Sequence, residues 1–141
     1  MPTVAENRDR WEHHGWTRQG DEWSPGGCAE GTRLLWLRTI LPRVDRFLPS
    51  GTILEIGPGF GRWTQYLRQL GDRVTVVDLS TRCIEACAAR FDGDPRIVCH
   101  VNDGRSLPMI ADGSIDFIFS FDSLVHAEAD VLAAYLGATL V

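Results

Sequence analysis

The chain has 141 residues, 44% hydrophobic and 23% charged, enough for one domain with a hydrophobic core and too few for two ordinary domains in tandem. Its formal net charge of -5 argues against a surface built to neutralise nucleic-acid phosphates, and no apolar run approaches the ~20 residues that cross a bilayer, so neither nucleic acid nor membrane is expected as a partner. Cys28, Cys83, Cys87 and Cys99 form no Cys-x-x-Cys pair and no secretory signal is visible, which fits reduced thiols in a cytoplasmic protein.

Residues 1–31 are polar, Gly-rich and dense in tryptophan, with Trp11, Trp16 and Trp23 set around His13 and His14. They show no periodic apolar pattern, so the expectation is an irregular segment draped over the domain at 32–141 with its three rings buried. Between 32 and 47, Leu34, Leu37, Leu41 and Val44 recur at helical spacing, with Pro42 at a break or in the first turn of a second piece. Pro49, Ser50 and Gly51 interrupt the chain, and the β-branched run 52–56 reads as a buried strand. Trp63, Tyr66, Leu67 and Leu70 then fall on one face of a helix ending near Gly71.

The run 74–77 is a second strand that ends at Asp78, and Ser80 caps a helix whose core face is Ile84, Cys87, Ala88 and Phe91. A third strand at 96–101, a turn at Asn102, Asp103 and Gly104, a loop at 111–114 and a fourth strand at 115–121 follow, and a final helix begins after Ser123. Strands alternating with helices imply a parallel sheet covered on both faces, an α/β doubly wound fold. Arg62, Arg68, Arg73, Arg82 and Arg90 are spread over different elements and read as solvated surface charges.

In such a sheet ligands bind beyond the carboxyl ends of the strands. Gly57, Gly59 and Gly61 alternate there with Pro58 and Phe60, where missing side chains permit a tight turn and close approach to the backbone. A dinucleotide fingerprint would place its third glycine where Arg62 stands, which disfavours a nicotinamide-dependent oxidoreductase. Glu55, two places before the first glycine, sits badly beside a pyrophosphate and suits a ligand carrying an ammonium group. Asp78, with Leu79 and Ser80 after it, is placed to accept from ribose hydroxyls, and Asp103, between Asn102 and Gly104, from an adenine amino group.

On these residues the chain resembles the class I S-adenosylmethionine-dependent methyltransferases, in the branch of small-molecule enzymes, over about residues 30–137. The resemblance implies a Rossmann-like fold, here its N-terminal four strands, with S-adenosylmethionine as cofactor. It implies that the loop from Glu55 to Gly61 holds the methionine end, that Asp78 binds ribose and Asp103 adenine, and that Ser120 and Phe121 lie beside the methyl group. The acceptor is expected to be a small molecule methylated at oxygen or nitrogen, since Phe121-Asp122-Ser123-Leu124 stands where base-directed enzymes carry Asn-Pro-Pro-Tyr. His126 is the candidate base, with Asp122 and then Glu128 behind it. No metal is expected, because His13 and His14 lack partners at ligand spacing.

Domains of this family continue with three further strands, whereas this chain stops after the helix that follows the fourth. A cofactor-binding module without catalysis is therefore the alternative reading. The edge left open by the fourth strand is also a route to pairing with a second copy.

Overall fold

The computed structural model describes residues 1–139; the last two residues of the expected 32–141 domain lie outside them. Contrary to the irregular segment expected at the N-terminus, Val4–His13 is a helix, α1. Its signal is a capping box: the Thr3 hydroxyl accepts from the Glu6 amide at 3.3 Å while the Glu6 carboxylate accepts from the Thr3 amide at 2.7 Å. Apolar spacing could not have shown α1, whose one buried residue is the polar Asn7. The three indoles are also less sheltered than expected, with Trp11 and Trp16 half-buried and Trp23 51% exposed.

The helix expected at 32–47 is assembled from pieces: α2 (Ala29–Leu35), a wide π turn (Trp36–Ile40), α3 (Leu41–Val44) with Pro42 in its first turn, and a tight 3-10 turn (Asp45–Phe47). Trp36 and Ile40 carry its contact with the core. Four parallel strands follow: β1 (Ser50–Ile56), β2 (Gly71–Asp78), β3 (Ile97–Val101) and β4 (Phe117–Phe119), in the order β3-β2-β1-β4. The fourth strand is shorter than the apolar run 115–121 suggests, because only Phe117, Ile118 and Phe119 find partners, at Ile53, Leu54 and Glu55.

Alternation along β1 and β2 divides the core. Ile53, Val74 and Val76 point to one face, beneath Trp36, Trp63, Leu67 and Ile84; Leu54, Ile56 and Val77 point to the other, beneath Val131 and Tyr135. Ile84 belongs to α5 (Thr81–Arg90), while Val131 and Tyr135 belong to α6 (Ala129–Thr139). With both faces of a parallel sheet covered, the fold is the Rossmann-like doubly wound architecture. Order runs outward from β1 through β2 to β3 and then reverses to β4, so the switch point lies at the carboxyl ends of β1 and β4.

Candidate functional site

A cavity of about 320 Å³ opens at that switch point, at the lower end of the range for small-molecule pockets. Its floor is Ile56 to Gly59 after β1 and Val77 to Leu79 at the end of β2, with Phe121 to Leu124 after β4 as one wall. α1 and the residues after it form the roof through Asn7, Trp11, Trp16 and Trp23.

The glycine loop takes its path because Gly57, Gly59 and Gly61 all have positive φ, at 72°, 56° and 81°. A side chain at Gly57 would come within 2.6 Å of Ser123, and one at Gly59 within 2.7 Å of the Trp16 ring. The missing side chains thus let the β4 loop and the N-terminal segment close onto the loop. Ser120 and Ser123 reinforce that contact, each hydroxyl donating to the Ile56 carbonyl, at 3.0 and 3.2 Å. Trp16 stacks on Phe60 with ring centres 4.7 Å apart.

Of the expected site residues, Gly57, Pro58, Gly59, Asp78, Leu79, Gly104, Phe121, Asp122 and His126 line the cavity. The Asp78 carboxylate, 7% exposed, accepts from the Ser80 amide at 2.9 Å and the Gly59 amide at 3.3 Å. Burial pushes its pKa up to about 6, against the pull of those amides. A carboxylate offers about four lone-pair directions, so acceptor capacity remains. Ser80 itself caps α5 by accepting from the Cys83 amide.

Glu55, Phe60, Gly61, Ser80, Asn102, Asp103 and Ser120 support the cavity without lining it. Glu55 lies under the glycine loop, 1% exposed, and accepts from the Thr64 hydroxyl at 2.5 Å; burial pushes its pKa up to about 7. Thr64 opens α4 (Thr64–Leu67), a shorter helix than the periodicity at 63–70 suggests. Asp103 closes its own turn, accepting from the Arg105 and Ser106 amides and the Ser106 hydroxyl, and these donors hold its pKa below the usual carboxylate range. Asn102 is tied to the Tyr135 hydroxyl at 2.8 Å.

Asp122 holds a left-handed backbone, φ 62°, in the loop after β4. His126 sits on the 3-10 turn Leu124–His126; its ring is 5.6 Å from Trp11 and its carbonyl accepts from the Asn7 side chain at 2.9 Å. Two further polar atoms on the cavity's lining residues have no hydrogen-bond partner although buried, Asn7 Oδ1 and Trp16 Nε1.

Arg62 departs from expectation. It is 6% exposed and lines the cavity, rather than lying on a solvated surface as its spacing among the other arginines suggests. Its side chain lies across the ring of its neighbour Trp63 and under Gly20, the latter a contact that the fold of the N-terminal segment supplies. Among the described residues no three His, Cys, Asp or Glu side chains are grouped to hold a metal ion, and no helix is long and apolar enough to cross a membrane.

Residues 53–139 match the family model described as methyltransferase domain. The chain belongs to the methyltransferase-domain family. It is 33% identical over 72 residues to ribosomal RNA small subunit methyltransferase A of Geobacter sulfurreducens, covering 49% of this chain and 26% of that protein. To the enzyme of the same name from Novosphingobium aromaticivorans it is 34% identical over 70 residues, covering 48% and 26%. The chain therefore spans about a quarter of the length of these relatives.

Among solved structures, the geranyl diphosphate C-methyltransferase of Streptomyces coelicolor A3(2), in complex with Mg2+, geranyl diphosphate and S-adenosyl-L-homocysteine, superposes with a TM-score of 0.62. It is 15% identical, over 96% of this chain and 60% of that one. The DhpI-SAM-HEP complex superposes at 0.57 with 22% identity, over 96% and 56%. At these identities the likeness is one of fold.

Proposed function

We propose that the cavity binds S-adenosylmethionine and that the chain is the cofactor-binding part of a methyltransferase whose acceptor is a small molecule, methylated at oxygen or nitrogen. The observation that carries this reading is Asp78. A buried carboxylate with unused acceptor directions stands at the carboxyl end of β2, on the floor of the cavity at the switch point. Ribose hydroxyls are the donors that such a group suits, and a free carboxylate there would repel a 2'-phosphate. The unpartnered Asn7 Oδ1 and Trp16 Nε1 also fit an occupant with both donors and acceptors.

The cofactor, when bound, supplies an electrophilic methyl group on a positively charged sulfur. The chain's contribution is position and the handling of a proton. Enclosure by the N-terminal roof holds an acceptor in one orientation and excludes water. His126, facing the same space, is assigned as the base that takes a proton from an oxygen or nitrogen acceptor, with Asp122 next and Glu128 after it.

The relatives named as ribosomal RNA enzymes raise RNA as a second class of acceptor. The net charge of -5 and a cavity roofed by α1 favour the small molecule. Titration calorimetry with S-adenosylhomocysteine tests the cofactor assignment, with saturable one-to-one binding expected and no heat of binding overturning it. Methyl-release assays on small hydroxy and amino compounds and on RNA then separate the acceptor classes. Tight cofactor binding with no turnover would favour the non-catalytic module.

A further inference from the structure

Arg62 is the one arginine among the residues lining the cavity, and its surroundings leave it short of partners. Four arginines form ion pairs among the described residues: Arg96 and Arg68 both reach Asp94, at 2.8 and 3.2 Å, Arg105 reaches Asp130 at 2.6 Å and Arg33 reaches Glu30 at 2.8 Å. Arg62 is far more buried than any of them, yet forms no ion pair among the described residues. Its guanidinium makes one hydrogen bond, to the Gly20 carbonyl at 3.2 Å, and stacks over the Trp63 ring at 4.2 Å. Burial pulls its pKa down, and Asp122, Asp21 and Glu22 oppose that only at longer range; a guanidinium stays charged in proteins.

A guanidinium carries five N–H donors in a planar fork, and most of this fork is unused. Removing a cation from water is unfavourable unless an anion takes the water's place. Trp63 on one side and Gly20 on another hold the group in position, so its orientation is fixed before any ligand arrives. The other charged side chains on the lining are acidic: Asp78, Asp122 and Glu128. An anionic group entering the cavity therefore has one place to go.

We propose that Arg62 is the anion-recognition residue of this cavity, pairing through its fork with a carboxylate or phosphate-like group on a bound ligand. This deepens the reading of the cavity as a cofactor and acceptor pocket and rests on it for the identity of the ligand, though not for the presence of the anion subsite. The shared chemistry has two sources, the amino-acid carboxylate of the cofactor and an anionic group on the methyl acceptor.

Three probes separate them, each titrated into the whole chain and into Arg62→Met and Arg62→Lys: S-adenosylhomocysteine, which carries the carboxylate; 5'-methylthioadenosine, which lacks it; and inorganic phosphate. About tenfold or greater weakening of S-adenosylhomocysteine in R62M, with methylthioadenosine held within about twofold, identifies the cofactor carboxylate. Both nucleosides unchanged while phosphate binding is lost identifies an acceptor anion. R62K, which keeps the charge and loses the fork, is expected to show a partial effect in the same arm.

All three probes binding R62M as they bind the native chain would overturn the proposal. Wild-type chain that ignores both nucleosides would defeat the cofactor reading alone, with the phosphate arm still deciding Arg62. Should R62M fail to fold, the Arg62 side-chain Nε–H resonance of the unaltered protein gives the answer. It shifts with a saturable phosphate or S-adenosylhomocysteine titration if the proposal holds, and stays fixed under both if it does not.

Discussion

At the scale of single residues, two buried carboxylates under the same loop have separate consequences that pH exposes. Asp78 faces the cavity with its pKa pushed up to about 6, and donors from a bound ribose would favour its ionised form. Affinity for S-adenosylhomocysteine should then be full above pH 6 and fall as the pH drops through that value. Asp78→Asn should weaken binding about 10- to 100-fold and flatten the profile, as measured by calorimetry between pH 5 and 8; an equally steep profile in the variant would rule Asp78 out as its source. Glu55, with a folded pKa of about 7 against an ordinary 4.5, contributes stability that is fully present below pH 4.5 and is lost as the pH rises through 7. Glu55→Gln, neutral throughout, should therefore gain on the order of 2–3 kcal/mol over the native chain at pH 8 and little at pH 4. Urea unfolding at the two pH values checks this, and equal differences at both would show that the carboxyl does not ionise on unfolding in this window.

At the scale of elements, legibility in the sequence followed the source of each element's stability. β1 and β2 were plain because strands buried on both faces read as continuous apolar runs, and α5 because Ser80 and the Ile84–Cys87 face mark it locally. α1 was missed because it is held by its capping box and by polar ties: Asn7 to the His126 carbonyl, and Glu12 to the Thr81 and Arg82 amides. Apolar periodicity carries no trace of such contacts, although Thr3-x-x-Glu6 was a usable sign. The glycine loop was legible as a turn, but that Ser123 and Trp16 fill the space above it depends on contacts across more than forty positions of chain. β4 was read too long because apolar residues at 115–121 serve packing as well as pairing. It pairs with β1 alone, and Phe47 stacks on Phe117 at this open edge, with Ile118 38% exposed beside it. Sedimentation of this chain should accordingly show a mean mass that rises with concentration and falls back when Ile118 is changed to Lys; a monomer at all concentrations would contradict it.

At the scale of the whole molecule, the cavity is shared between parts held with unequal strength. The sheet is buried on both faces, whereas α1 is mostly exposed and meets the rest through a few bonds: Asn7 to the His126 carbonyl, Arg8 to the Asp103 carbonyl, and Glu12 with Arg82. Local opening free energies track such differences, so α1 should open more often than β1 or β2. A ligand touching the loop after β1 on one side and Asn7, Trp11 and Trp16 on the other must be released, or lose half its contacts, before α1 can leave. Binding to the closed form alone raises the cost of opening by mass action, about 2.7 kcal/mol at a hundred times Kd. Amide exchange across residues 4–13 should therefore slow by up to about 100-fold on saturation with S-adenosylhomocysteine, more than exchange in β1. If the loop at 57–59 became protected while α1 exchanged at its former rate, the ligand would be held by the sheet ends alone, and the N-terminal roof would have no part in binding.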